Sequence, residues 1–241
     1  MAFGMAYQNA GFSPDTAAHD IRTSAVAILG RGEKRSLFGA QRQALVQWGC
    51  KNGCILQHAF LEPLKGIGVG AEHTVYHDAS TGLAIKVTHP DRFGNSVSKV
   101  GAPEGASPVE YLERLHYQNK IFGDDIRVIG LFSDGNSVSV ITSQRWIQTD
   151  RDTPPPGQAV IDSYLAGIGF MRSPAFPGGY IYYNPVLNLI IMDVQPPNIL
   201  LTSPGILVPI DVVIGKPCPT LEIQLRGAIP GVTPPPPVAL P

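Results

Sequence analysis

The sequence predicts an α+β fold in which an antiparallel sheet carries one main helix and a smaller second part follows. Three observations predict it. Residues 61–88 alternate short runs rich in β-branched and aromatic residues with tight turns, the pattern of hairpin strands. Pro108–Phe122 (PVEYLERLHYQNKIF) has helical spacing, with Tyr111, Leu112, Leu115 and Ile121 on its apolar side and Pro108 suited to a first turn. The polar, Pro-rich stretch at 149–157 (TDRDTPPPG) then breaks the pattern.

Taken in order, residues 1–35 mix small, polar and glycine residues without a sustained period and read as a loose or weakly helical leader, open to disorder. Residues 36–148 form a first segment. Its helix, Ser36 to about Gly49, places Leu37, Ala40, Ala44, Leu45 and Trp48 at helical spacing, and Asn52-Gly53 ends it. HTVYHD and LAIKVT read as two strands joined by a turn at 78–82. After the helix at 108–122 come extended pieces at Ile126–Phe132, Ser137–Thr142 and Trp146-Ile147. Residues 149–214 form a second segment, with a helix from Gln158 to Phe170 and strands at Tyr180–Tyr183, Leu187–Met192, Ile199–Thr202 and Ile206–Ile210. Residues 215–241 contain a proline run, Pro234 to Pro237, and read as an extended or disordered tail.

Composition excludes several classes of function. The 241 residues carry 18 basic and 19 acidic side chains, a net charge of −1, so no basic field asks for nucleic acid. Hydrophobic residues make up 44%, enough for a sizeable core, and the longest apolar stretch is far too short to span a bilayer. The start, MAFGMAYQNAGFSPD, lacks the basic and apolar regions of a secretory signal. Cys50, Cys54 and Cys218 show no framework spacing, and no second pair completes a metal site from Cys50 and Cys54. Together these predict a soluble protein of the reducing cytosol.

The chemistry lies in the order of the motifs. Gly68-x-Gly70-x-x-His73-x-Val75, preceded by Gly66, follows the spacing of a glycine-rich loop over nucleotide phosphates, with His73 where the third glycine would stand. Ala84-Ile85-Lys86 puts a lysine on the next strand, where it would contact the α- and β-phosphates. Glu110 or Glu113, on the helix that follows, could pair with it, Glu110 being preferred. Asp193 and Asn198 then stand at the separation of D-x-x-x-x-N, and Asp211 closes a further strand. Asp193 would orient and deprotonate an attacking hydroxyl, and Asn198 and Asp211 would hold a divalent cation, which favours oxygen ligands.

The segment from about Trp48 to Asp211 resembles the kinase domain of polyvalent proteins of phages and other mobile elements, a branch of the serine/threonine/tyrosine kinase fold. The residues that carry the likeness are Glu72-His73-x-Val75-Tyr76, Ile85-Lys86-x-Thr88, Glu110-Tyr111-Leu112-x-Arg114, Gln118-Asn119-x-x-Phe122-Gly123-Asp124-Asp125, Ile141-Thr142-Ser143-Gln144, Gly169-Phe170 and Asp193-x-x-Pro196-x-Asn198. The resemblance implies a protein-kinase-like fold with a five-stranded N-lobe and a reduced C-lobe, and ATP and magnesium bound in the cleft of the two lobes. It also implies a hinge near Ser143 to Ile147, including Gln144 and Trp146, whose backbone would bind adenine.

Departures from the family pattern set the remaining expectations. Ile191-Met192 stands before Asp193 in place of His-Arg, and Val-Val follows Asp211 in place of Phe-Gly. No A-P-E follows, and the residues beyond Asp211 leave no room for a large helical substrate-gripping lobe. The expected activity is transfer of the γ-phosphate of ATP to a protein Ser, Thr or Tyr hydroxyl. A small-molecule alcohol as acceptor, and a nucleotide-binding pseudokinase without turnover, are the alternatives.

Overall fold

The computed structural model describes residues 11–30, 36–97, 103–149, 154–176, 179–202, 205–229 and 231. The chain divides into two units, one of Met1–Ser96 and Gly105–Trp146, the other of Val97–Glu104 and Ile147–Pro241.

The first unit opens with two helices, α1 (Pro14–Leu29) and α2 (Leu37–Lys51). Within the leader, which the sequence reads as loose or weakly helical, residues 14–29 thus form a regular helix. Its buried residues are Pro14, Ala17, Ala18, Ile21, Ala25 and Ile28, an i, i+3, i+4, i+7 stripe of which half is alanine. Alanine contributes little to a hydrophobic pattern, so the period is faint in sequence and becomes definite only once a partner packs against it. Residues 1–10 and 31–35 of the leader lie outside the described residues. In α2 the Ser36 Oγ accepts from the Gly39 N–H at 3.1 Å, a helix N-cap. Asn52 closes the helix, its N–H and its Nδ2 both donating to the Trp48 carbonyl.

Five strands form one antiparallel sheet in the order β1-β2-β3-β7-β6. These are β1 (Lys65–Val69), β2 (His73–Asp78), β3 (Leu83–Thr88), β6 (Arg127–Ser133) and β7 (Val138–Arg145), with the short β4 (Asn95–Val97) and β5 (Pro103–Gly105) outside it. The β2–β3 turn is held by Asp78, whose carboxylate accepts from the Ser80 N–H, Ser80 Oγ and Thr81 Oγ1, while Gly82 takes a φ of 68°. Trp146 continues β7 as a single residue bonded to Gly82 and does not form the separate extended piece expected at Trp146-Ile147.

Helix α3 (Pro108–Phe122) has the bounds that the sequence predicts. Ser107 and Glu110 build a capping box at its start, and Gly123, at φ 69°, ends it with its N–H on the Asn119 carbonyl. One core joins α1, α2 and α3 to one side of the sheet, through Ile21, Leu45, Leu112, Val128, Leu131 and Val140. A second cluster, with Ile85, Val87, Ile129 and Ile141, packs under Leu56, Phe60, Leu61 and Leu64. Strand alternation explains the division: Ile85 and Val87 point one way, so Ala84, Lys86 and Thr88 point the other.

The second unit contains α4 (Gln158–Gly167), β8 (Met171–Arg172), β9 (Tyr182–Asn184), β10 (Leu189–Met192), β11 (Ile199–Leu201), β12 (Leu207–Pro209), β13 (Val213–Gly215) and α5 (Pro219–Ala228). Its antiparallel sheet runs β13-β10-β9-β8, and β11 and β12 form a separate hairpin. Helix α5 corrects the reading of 215 onward as an extended tail: Leu221, Leu225 and Ile229 pack on Ile190, Met192 and Val213. Two leucines four apart are too short a pattern to read without the sheet they cover. The proline run lies outside the described residues. Among the described residues no helix is long and apolar enough to cross a membrane.

Candidate active site

The glycine hairpin begins on β1, every residue of which is exposed. β1 pairs with β2 in the register Gly66↔Tyr76 and Gly68↔Val75, with an irregularity between the two glycines, and Gly70 closes the turn by donating to the His73 carbonyl at 2.8 Å. None of Gly66, Gly68 and Gly70 lies in the left-handed region. A Cβ added at Gly66 or Gly68 would meet nothing within 4 Å, and one at Gly70 would meet only the His73 carbonyl, at 3.6 Å. The fold itself therefore does not require glycine here. Bare backbone on an open strand is what a phosphate needs to come close.

Two side chains tie this hairpin to α3. His73 is buried, its Nε2 3.1 Å from the Tyr111 hydroxyl. The neighbouring Glu72 accepts from Arg114 Nη1 at 2.8 Å and from the Asn95 N–H at 2.9 Å. Thus Glu72-His73 on the turn meets Tyr111-x-x-Arg114 on the helix. The imidazole that replaces the third glycine is taken up in this packing, beside Tyr111.

Lys86 lies on β3, opposite Val75 of β2 and Thr142 of β7. The carboxylates expected beside it are both engaged elsewhere. Glu110 Oε2 accepts from the Ser107 N–H at 2.8 Å in the capping box, and Glu113 pairs with Arg22 of α1. Asp124, in the turn after α3, occupies the position near the lysine. Its Oδ2 accepts from Gln118 Nε2 at 2.8 Å and Gln144 Nε2 at 3.1 Å, both glutamines being buried. Burial pushes the Asp124 carboxyl above its ordinary value, against the two amide bonds and the positive charge of Lys86, which favour its ionised form. Gln144, an expected hinge residue, thus turns its side chain into this cluster. Trp146 donates its N–H to the Gly82 carbonyl at 3.0 Å, and its ring lies 4.4 Å from that of His77.

In the second unit, β10 delivers Asp193 at its end. Asp193 has φ 58°, the left-handed region, which Asp and Asn enter more readily than most residues. The turn places its carboxylate against its own loop: Oδ1 accepts from Gln195 Nε2 at 2.6 Å and Oδ2 from Asn198 Nδ2 at 3.0 Å. Asn198 Nδ2 also donates to the Asp193 carbonyl at 2.8 Å. Both of these bonds use the NH₂ group of the side chain, and its carbonyl oxygen can accept. The Ile210 N–H donates to the Asn198 carbonyl at 2.9 Å, closing the β11–β12 hairpin, and Asp211 is the next residue. Asp193, Asn198 and Asp211 therefore gather at one end of this hairpin. Behind the loop, Gln158 Nε2 of α4 donates to the Tyr182 hydroxyl at 2.8 Å and to Asp162 at 3.0 Å, and stands 3.5 Å from the Val194 carbonyl.

The family model described as Serine/Threonine/Tyrosine Kinase found in polyvalent proteins matches residues 39–215. The chain belongs to this family. No curated protein and no solved structure matches it. The match to the kinase family begins inside α2 and ends with β13, so α1 and α5 lie outside it. Within it, sequence reasoning gave no role to Asp124, Gln118 or Gln195. Gln118, Gly123 and Asp124 stand in one of the segments that carry the resemblance, which is the signal that could have found them.

Proposed function

We propose that this kinase-family chain transfers the γ-phosphate of ATP, with magnesium, to a protein Ser, Thr or Tyr hydroxyl. In this reading the first unit is the N-lobe of a reduced kinase and the second its C-lobe. The observation that carries the reading is the Asn198 amide. Its NH₂ group fixes both the backbone and the carboxylate of Asp193, which leaves its oxygen for a cation, and Asp211 follows the residue whose N–H donates to the Asn198 backbone carbonyl. One side chain thereby orients the base and contributes to the metal set.

The donor set fits magnesium: a carboxamide oxygen and a carboxylate are hard oxygen ligands. When bound, the ion neutralises charge on the β- and γ-phosphate oxygens. Asp193 accepts the proton of the acceptor hydroxyl as that oxygen attacks the γ-phosphorus. Its two hydrogen bonds hold the carboxylate in one orientation, so little ordering remains for the reaction itself. Lys86 supplies an ammonium to the α- and β-phosphates, and the backbone of Gly66–Gly70 covers them without Cβ atoms. The inward turn of His73 supports an open phosphate site, because its ring does not stand where the missing glycine would leave space.

The test is labelling by γ-³²P-ATP and Mg²⁺ of the full chain itself and of a host lysate. Asp193→Asn lowers labelling by about 100-fold or more, the usual contribution of a positioned base, while ATP affinity measured by calorimetry changes little. Equal labelling by the parent and Asp193→Asn proteins refutes this role. Binding of ATP with no label transferred to protein or small molecule makes the chain a pseudokinase.

A further inference from the structure

We propose that Asp124, on the turn after α3, is the carboxylate that positions Lys86, in place of a glutamate from within the helix. The inference deepens the phosphotransferase reading and rests on it for its meaning, but its geometry stands apart. Asp124 is held by both of its neighbouring elements. Gln118, one helical turn before the end of α3, donates to Oδ2 from one side, and Gln144 of β7 donates to the same oxygen from the other. Gln144 faces Ala84 in the β3–β7 register, and Lys86 faces Thr142, two residues along on each strand. In a strand, residues two apart share a face, so Lys86 and Gln144 lie on the same side of the sheet as diagonal neighbours.

The turn that presents Asp124 is built to be stiff. Asn119 holds both sides of it, with Nδ2 donating to the Ile126 carbonyl at 2.9 Å and Oδ1 accepting from the Ile126 N–H at 2.8 Å. Gly123 supplies the left-handed residue that the reversal needs. Gln118 thus holds the carboxylate directly, and Asn119 holds the turn that carries it. Meanwhile the two glutamates on the first turns of α3 are occupied at the capping box and at Arg22. The carboxylate on the turn after α3 is thus held from the end of α3, through Gln118 and Asn119, and from β7, through Gln144.

The experiment reads Lys86 directly and needs no turnover. The full chain is reductively methylated with ¹³C-formaldehyde, and the dimethyl-lysine signal that disappears in Lys86→Arg is assigned to Lys86. Asp124→Asn is expected to move that signal and leave those of the other lysines in place, whereas Glu110→Gln and Glu113→Gln leave it unmoved. Asp124→Glu restores part of the parent position. In parallel, ATP·Mg²⁺ affinity by calorimetry falls about tenfold in Asp124→Asn and falls no further when this change is added to Lys86→Met, because the first acts through the second. An unmoved Lys86 signal in Asp124→Asn, or one that follows Glu110→Gln, overturns the proposal. So do additive losses of affinity, which indicate a merely structural role. If Asp124→Asn does not fold, Gln118→Leu with Gln144→Leu releases the carboxylate instead, and the same outcomes apply. A moved signal in a chain that binds no ATP sinks the phosphotransferase reading and leaves the pairing standing.

Discussion

Replacement of Arg114 by Met isolates the tie that holds the glycine hairpin to α3. The Arg114 and Glu72 side chains are 5% and 11% exposed, and Nη1 lies 2.8 Å from Oε2. Removing the guanidinium leaves the Glu72 carboxylate in a site with little access to water. It keeps the Asn95 N–H, and Gly94 packs so close that a Cβ there would fall 2.6 Å from Glu72 Oε2. Breaking a buried pair on one side costs about 3–5 kcal/mol. At about 2–4 °C per kcal/mol for a chain of this size, the melting temperature falls by roughly 6–20 °C. Glu72→Gln added to Arg114→Met removes the stranded charge and keeps an acceptor for the Asn95 N–H, so the double variant recovers about 2 kcal/mol of the loss. Urea unfolding of the parent, both single variants and the double variant completes the cycle. A loss under about 1 kcal/mol for Arg114→Met, or a double variant as unstable as the sum of the singles, would falsify the account of this pair as a buried tie.

Two further outcomes follow from the same geometry. Gly68→Ala keeps the parent unfolding midpoint, because a Cβ there meets nothing within 4 Å, yet weakens ATP·Mg²⁺ binding; a variant that loses stability and retains affinity contradicts the reading of the bare strand. The Asp124 carboxyl is raised in the folded chain, so the native state holds this proton more tightly than the unfolded one. Its contribution is fully present below the unfolded value near 3.8 and is lost as pH rises through the folded value. The melting temperature of Asp124→Asn should therefore gain on that of the parent as pH rises above the unfolded value near 3.8, and a difference that stays flat or has the opposite slope counts against the assigned burial.

The family, and most of the elements that bear its motifs, can be read from local sequence. Helix α3 begins and ends where Ser107, Pro108 and Gly123 say it should, because capping and left-handed termination are local chemistry. The β2–β3 turn is legible for the same reason, since Asp78 bonds within its own four residues. Asp193, Asn198 and Asp211 stand out in the sequence by spacing, and the backbone closure through Ile210 brings Asn198 and Asp211 to one end of a hairpin. The tertiary structure alone decided what lies further apart in the chain. It made a helix of the alanine-rich segment before α2, and it assigned Glu113 to Arg22. It brought Asp124 to the lysine side of the sheet and joined Glu72 to Arg114. Each of these depends on a partner tens of residues away, and a carboxylate carries in its sequence neighbourhood no record of which distant charge or amide will meet it. Local patterns fix where a side chain sits on its element; packing of whole elements fixes what it faces.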